Sequence, residues 1–246
     1  MLPLLLALLG AIVGSFLATL VVRWTGGRSV VAGRSGCDGC GRTLSAGELV
    51  PLVSFALQRG RCRACGARID PVHPWVEIAC LAVGAGAGVV APWPEAVAGA
   101  VFGWLLVTLA ALDWRALWLP DRLTATLALG GIGAGMAGVG PDLPDRLIGG
   151  AAGFASLWLI ARGYRLLRGR EGMGGGDPKL FGAIGLWLGW RLLPSVLLLA
   201  AMVGLGAVLF QHLRGRSLGG DHALPFGTLL AIAAYPAWLA MIGVAP

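Results

Sequence analysis

The chain has 246 residues, of which 57% are hydrophobic and only 13% are charged, and its mean hydropathy is +0.80. A soluble domain contains about 25% charged residues, so this composition excludes an ordinary soluble protein and predicts a membrane protein. The net charge of +7 would suit a nucleic-acid partner. Basic residues in membrane proteins usually mark the cytoplasmic loops, however, and we expect no nucleic acid to bind.

The first predicted membrane span covers residues 2–22, an apolar run with the length of about 20 residues that a bilayer requires. No positive charge precedes the run and no small-residue cleavage site follows it, so it is not typical of a signal peptide. The first arginines, Arg23 and Arg28, come after it. This order predicts an N-terminus outside the cell membrane and a cytoplasmic loop after the span.

Seven further apolar runs follow, and together they predict an all-α polytopic membrane protein with about eight transmembrane helices. These runs cover residues 75–90, 96–112, 123–139, 147–161, 180–190, 195–211 and 224–244. The run at 180–190 is short for a full span. With eight spans, 17 of the 19 Lys and Arg residues fall in four inside loops, and only Arg146 and Arg191 lie outside. Such a one-sided distribution is typical of the positive-inside rule.

We divide the chain into three parts: a first transmembrane helix at 1–22, a cytoplasmic loop with four cysteines at 23–74, and a transmembrane core at 75–246. The loop contains two C-x-x-C pairs, Cys37/Cys40 and Cys62/Cys65, separated by about twenty residues as in a zinc ribbon. Four thiolates form a closed tetrahedral site, so a Zn²⁺ ion here would be structural. The alternative, two disulfides, would require an oxidising compartment rather than the cytoplasm.

Two carboxylates are candidates for catalysis, because ionisable groups at membrane depth are costly and usually functional. Asp113 ends the third predicted span, and Asp177 precedes the sixth in the segment Gly172-Met-Gly-Gly-Gly-Asp177-Pro-Lys. Two carboxylates close together share one proton, so one acts as base and the other as acid, as in aspartic proteases. The glycines before Asp177 permit an irregular backbone and the close approach of an extended peptide.

Each of these acidic residues also has a simpler interpretation. Asp113 is equally consistent with a solvated carboxylate beside Arg115, and Asp177 with a helix N-cap. Asp121 is a rival for the first catalytic position. Glu77, at the start of the second span, would suit either a pair with the basic loop or a polar site. Spacing alone does not rank these carboxylates.

Motifs from almost the whole chain occur in a fixed order. They are Gly14-Ser-Phe-Leu17 with the later Arg23, Cys37 to Gly41, Leu49 to Ser54, Arg59 to Gly66, Pro74 to Glu77, Asp113 with Leu119 to Thr124, Gly174 to Leu180, and Leu224 to Gly227. This series resembles the type IV prepilin peptidases, which are bifunctional leader peptidases and N-methyltransferases of the G-x-G-D aspartic type.

The resemblance implies that Asp113 and Asp177, rather than Asp121, are the catalytic pair, supported by Gly174, Gly176 and Lys179. It implies cleavage of a leader peptide after a Gly, at the cytoplasmic face of the bacterial inner membrane. The substrates would be type IV prepilins or the pseudopilins of a type II secretion system, and membrane lipid would surround the enzyme.

The resemblance also implies methylation of the new N-terminal residue with S-adenosylmethionine as donor, and zinc as structural support for that activity. Glu77 is the best candidate for a residue near the methyl donor. Ala18 departs from the pattern, because the family often has Asn after Gly-Ser-Phe-Leu, and this bears on methylation rather than on the aspartates. Two other hypotheses remain: a G-x-G-D membrane protease without methylation, and a non-enzymatic assembly factor that binds a partner through its zinc ribbon.

Overall fold

The computed structural model describes residues 1–30, 33–214 and 224–244. These residues form nine α-helices and no β-strand; only two isolated bridges occur, both in the cysteine loop. The helices are α1 (Leu2–Thr25), α2 (Val53–Leu57), α3 (Val72–Val90), α4 (Glu95–Ala116), α5 (Asp121–Met136), α6 (Leu143–Arg168), α7 (Asp177–Leu188), α8 (Leu193–Leu213) and α9 (Phe226–Val244). The last predicted inside loop, at residues 212–222, lies mostly outside the described residues, including Arg216 and His222.

Five of the described helices, α1, α3, α4, α8 and α9, are long and apolar enough to cross a membrane. The all-α polytopic membrane fold is therefore confirmed, whereas the number of eight spans stays a prediction. At 1.5 Å per residue, the 16 residues of α5 reach about 24 Å and the 12 residues of α7 about 18 Å. Both fall short of the roughly 30 Å of a hydrocarbon core.

Residues 1–111 form one compact unit, in which α1 packs along α3. Small residues make this contact close, since a Cβ added at Gly14 would lie 3.0 Å from the Cα of Glu77. The indole N–H of Trp104 in α4 donates a hydrogen bond of 2.9 Å to the carbonyl of Cys80 in α3, close to Gly10 of α1. Cys80 itself is fully buried, as expected for a small apolar residue.

The cysteine loop of this unit consists of two turns with the same backbone pattern. In the first turn the N–H of Cys37 donates to the carbonyl of Arg42, and in the second the N–H of Cys62 donates to the carbonyl of Ala67. Each turn ends at a glycine with positive φ, Gly41 at 71° and Gly66 at 72°. Because residues with a Cβ rarely adopt this conformation, glycine after the second cysteine is what closes each turn.

Residues 112–246 form the second compact unit, in which α7 packs against α5 and α6. The backbones of α6 and α7 nearly touch, since a Cβ at Gly149 would lie 2.6 Å from the carbonyl oxygen of Gly185. The indole N–H of Trp187 donates to the carbonyl of Leu127 in α5 at 2.7 Å. These contacts place α7, and with it Asp177 at its first residue, between two neighbouring helices.

Arg146 lies inside a helix, whereas the sequence pattern predicts that it lies outside the membrane spans. The predicted span at 147–161 starts after Arg146, but α6 already begins at Leu143 and the Arg146 side chain is buried, with 1% exposure. Its guanidinium donates to five backbone carbonyls, those of Gly131, Val139, Pro141, Leu186 and Trp187. Leu186 and Trp187 contribute two of the last four carbonyls of α7, which lack helical N–H partners, so the cation satisfies these acceptors and interacts favourably with the dipole of α7.

Candidate active site

Asp113 lies one turn before the end of α4 and is 4% exposed. Its Oδ2 accepts two hydrogen bonds from Thr228 at the start of α9, one from the backbone N–H at 2.7 Å and one from the hydroxyl at 3.1 Å. Donors of this kind stabilise the negative form of a carboxylate. The simple interpretation of Asp113 as a solvated helix end is therefore wrong.

Asp177 is the first residue of α7 and is 5% exposed. Its own N–H closes a turn onto the carbonyl of Gly174 at 3.2 Å. The backbone N–H groups of Gly174 and Gly227 face its carboxylate, and the N–H of Gly227 also faces Asp113. The fold thus brings the two predicted aspartates together around one shared donor.

The environment of Asp177 favours a protonated carboxyl. Asp177 lies outside the five candidate spans, and its burial, followed by the negative charge of Asp113, raises the pKa of this carboxyl to about 7. Two carboxylates this close do not both ionise readily, because each charge disfavours the other. The raised pKa therefore lets the Asp177 carboxyl hold the proton of the pair near neutral pH.

Glycine is required next to both aspartates, because the side chain of Leu119 fills the available space. A Cβ at Gly176 would lie 2.7 Å from the Cβ of Leu119, and a Cβ at Gly227 would lie 2.8 Å from its Cδ1. A Cβ at Gly174 would come within 3.3 Å of the Asp177 Oδ2. The glycines of the Gly174–Asp177 segment therefore let the backbone approach the carboxylates closely.

Asp121 and Lys179 form a separate ion pair. The Nζ of Lys179 lies 2.6 Å from Oδ1 of Asp121, and their side chains are 46% and 73% exposed. A pair this exposed contributes little to stability. The structure therefore leaves Asp121 at the surface while it buries Asp113 and Asp177 together, and the predicted supporting residue Lys179 pairs with the rival carboxylate.

Sequence reasoning missed Thr228 as a partner of Asp113. The resemblance included Leu224 to Gly227 and ended one residue too early. The available signal was the position of a hydroxyl residue directly after this motif, at the start of an apolar run. Nothing in the pattern indicated which carboxylate it would meet.

The four predicted metal ligands form a cluster in the first unit. The Sγ atoms of Cys37, Cys40, Cys62 and Cys65 all lie within 4.8 Å of one another, and those of Cys37 and Cys65 are 3.8 Å apart. A tetrahedral site with metal–sulfur bonds of about 2.3 Å requires sulfur–sulfur separations of roughly 3.8 Å. Backbone N–H groups of Cys65 and Ala64 lower the pKa of Cys62 to about 6, which favours its thiolate, whereas the neighbouring Cys40 thiol and burial raise the pKa of Cys65 to about 11. The cluster can therefore bind a metal ion.

Glu77 lies on α3 in the first unit and is 5% exposed. Its Oε2 accepts the backbone N–H of Leu52 at 2.8 Å. Glu77 also lines a cavity enclosed by α1, α3 and the cysteine loop, whose other polar walls include Ser15 and Gln58. This position agrees with the interpretation of Glu77 as part of a polar site rather than as the partner of a basic residue in the loop.

Comparison with known proteins covers both units. Residues 8–90 match the family described as the bacterial peptidase A24 N-terminal domain, and residues 100–209 match the type IV leader peptidase family. A prepilin leader peptidase/N-methyltransferase of Aeromonas hydrophila is 40% identical over 215 residues, with 85% of this chain and 71% of the relative covered. A second from Burkholderia pseudomallei is 42% identical, with 80% of this chain and 64% of the relative covered. A third from Pseudomonas putida is 34% identical, with 95% of this chain and 88% of the relative covered. No solved structure matches the chain.

Proposed function

We infer the function from one premise: the chain belongs to the type IV leader peptidase family. It is a membrane enzyme that removes the leader peptide of type IV prepilins or pseudopilins and then N-methylates the new N-terminal residue. The observation that carries the peptidase assignment is the buried pair Asp113 and Asp177, with Thr228 donating twice to Asp113. The chain covers 64% of the Burkholderia relative and 88% of the Pseudomonas one.

The pair supports hydrolysis in two steps, the addition of water to the scissile carbonyl and the collapse of the resulting diol. The ionised Asp113 takes a proton from a water molecule, whose oxygen attacks the scissile carbonyl carbon, while Asp177 gives its proton to the carbonyl oxygen. As the resulting diol collapses and the C–N bond breaks, Asp113 gives its proton to the leaving nitrogen and Asp177 takes a proton back from a diol hydroxyl. The products are the leader with a free carboxylate and the pilin with a new N-terminal amine. Hydrogen bonds from Thr228 favour Asp113 as the base, because they stabilise its negative charge.

The first unit serves the methylation step. S-adenosylmethionine, when bound, supplies an electrophilic methyl group for the new amine, and Glu77 is the proposed residue nearest to it. The four cysteines hold a Zn²⁺ ion as a closed structural site, because four thiolate ligands leave no open position. The chain lies in the bacterial inner membrane with its N-terminus outside, which puts Arg23 and the cysteine loop in the cytoplasm.

The proposed function is tested with purified full-length protein in detergent, a prepilin substrate and methyl-labelled S-adenosylmethionine. We expect the prepilin to lose its leader and the trimmed pilin to carry the label on its N-terminal residue. Asp113→Asn and Asp177→Asn should abolish both results, since methylation requires the amine that cleavage exposes. Cleavage without any label would instead support a G-x-G-D protease that does not methylate, and label without cleavage would contradict the order of the steps.

A further inference from the structure

The cavity of the first unit is bounded by three elements: α1, the cysteine loop and α3. The loop contributes Phe55 as an apolar wall and Ser54 and Gln58 as polar groups, and α1 contributes the hydroxyl residues Ser15 and Thr19. A small-molecule site in a protein is typically concave and largely apolar, with a few converging polar groups. Apolar atoms make up most of the exposed wall of this cavity, and several charged side chains line it as well, among them Arg23, Asp38, Arg68 and Asp70.

Glu77 is a buried carboxylate without a cationic partner. Among residues 1–30, 33–214 and 224–244, no Lys, Arg or His forms an ion pair with it, and its one hydrogen bond comes from the Leu52 N–H. Glu48 lines the same cavity but is paired with Arg42 at 2.5 Å. A buried charge is costly unless it is paired, and a carboxylate offers about four acceptor positions. Arg23, Arg68 and His73 also line the cavity, but no ion pair joins any of these three described residues to Glu77, so this carboxylate lacks a direct cationic partner.

A strained turn holds the loop against Glu77. Leu52 has φ 60° and ψ −46°, and the carbonyl of Pro51 accepts the N–H of Val53 at 2.6 Å, which defines a γ-turn. This conformation is rare for a residue with a side chain and is strained. The Leu52 N–H meets Glu77 because of this turn, so the loop backbone and the carboxylate are fixed together at the cavity wall.

We propose that this cavity is the binding site of the methyl donor and that Glu77 pairs with the donor's positively charged sulfonium. The inference rests on the proposed methyltransferase function and adds the location and the charge complement of its donor site. The sulfonium supplies the cation that the carboxylate lacks. Gly14 belongs to the same arrangement, because only a residue without a Cβ lets α1 pack this closely against the Glu77 backbone.

The test measures binding rather than turnover. Two analogues of the donor differ in charge at the position of the sulfonium and so test whether Glu77 recognises that charge. Sinefungin carries an ammonium near this position, and S-adenosylhomocysteine carries a neutral thioether. Calorimetry on the purified full-length protein gives Kd for both in wild type, in Glu77→Gln and in Glu95→Gln. In Glu77→Gln the new amide oxygen can still accept the Leu52 N–H, so the loop should stay in place. Glu95 is a matched control, since this glutamate in the same unit does not line the cavity.

We expect Glu77→Gln to weaken sinefungin binding about tenfold or more, because the charge-assisted contact is lost. Its effect on S-adenosylhomocysteine should be less than about threefold, and Glu95→Gln should change neither Kd. Equal effects on both analogues, or none, would overturn the proposal. If wild type methylates trimmed pilin but Glu77→Gln binds sinefungin normally, only the donor site is wrong. If Glu77→Gln weakens binding of a trimmed-pilin peptide and not of sinefungin, the carboxylate binds the acceptor amine, and the donor assignment fails.

Discussion

At the scale of single residues, the contact between Thr228 and Asp113 distinguishes the two aspartates. Asp113 receives an N–H and a hydroxyl from Thr228, whereas Asp177 faces only backbone N–H groups. An asymmetric set of donors gives two carboxylates different affinities for their shared proton. We therefore assign the base to Asp113 and the acid to Asp177.

Thr228→Val tests this asymmetry, because it removes the hydroxyl but keeps the side-chain shape. We expect kcat for leader cleavage to fall about tenfold or more, as for the loss of a hydrogen bond to a charged group, with recovery in Thr228→Ser. Thr124→Val is the matched control: Thr124 is also buried, but its hydroxyl donates only to backbone carbonyls of Pro120 and Asp121. Equal losses in Thr228→Val and Thr124→Val would show a general effect on packing instead.

Residue-level reasoning from the sequence identified the candidates but did not choose among them. Asp113, Asp121 and Asp177 all lie near helix ends, and spacing gave no preference for any pair; the resemblance chose Asp113 and Asp177. The structure supports that choice with burial, since Asp121 is exposed and paired with Lys179. Burial depends on how α4, α5 and α7 pack, which a pattern in a single segment does not contain.

At the scale of elements, the glycine segment before α7 determines the position of Asp177, the first residue of that helix. Gly174 and Gly176 are crowded by Asp177 and Leu119, whereas a Cβ at Gly175 would meet nothing within 4 Å. The middle glycine of this run therefore has room for a side chain that its neighbours do not have.

Gly176→Ala should reduce cleavage strongly, by about tenfold or more, because Leu119 or the start of α7 must shift, and misplacement of about 1 Å can cost roughly 100-fold in rate. Gly175→Ala is the matched control and should retain a rate close to wild type. The measurement is kcat/KM for leader removal, with expression level and thermal stability checked for both variants. A wild-type rate in Gly176→Ala would contradict the close approach to Leu119.

The cysteine loop is the second element with its own prediction. Elemental analysis of purified protein should give about one zinc per chain, and Cys65→Ser should lose most of it, because a structural site needs all four ligands. Cys80→Ala is the control: Cys80 is buried in α3 and does not belong to the cluster. A protein that contains no zinc when purified without chelator would contradict the proposed metal site.

Most elements were predictable because long apolar runs form helices whatever their neighbours are. The predicted boundaries failed where tertiary contacts decide them: α6 begins before Arg146, whose guanidinium is satisfied by carbonyls of α5 and α7. An arginine whose guanidinium binds the backbone carbonyls of neighbouring helices is indistinguishable in sequence from an arginine in a loop. The γ-turn at Leu52 was equally hidden, since no glycine or asparagine marks it.

At the scale of the whole molecule, composition and motif order determined the class of protein more firmly than any single site. The apolar composition predicts a membrane protein, and five described helices are suited to cross a bilayer. The two family matches at residues 8–90 and 100–209 agree with a bifunctional chain. The peptidase pair lies wholly in the second compact unit, and the cysteine cluster and the Glu77 cavity lie wholly in the first.

The central claim is that Asp113 and Asp177 cleave the prepilin leader. The most direct measurement is the rate of leader removal by purified Asp113→Asn, Asp177→Asn and Asp121→Asn, all three inserted in membranes at equal amounts. We predict no detectable cleavage by the first two variants, because each removes one of the two proton-transfer groups. Asp121→Asn should cleave at a rate near wild type, since it loses only an exposed ion pair with Lys179. Cleavage that survives in Asp113→Asn or Asp177→Asn but disappears in Asp121→Asn would contradict the account.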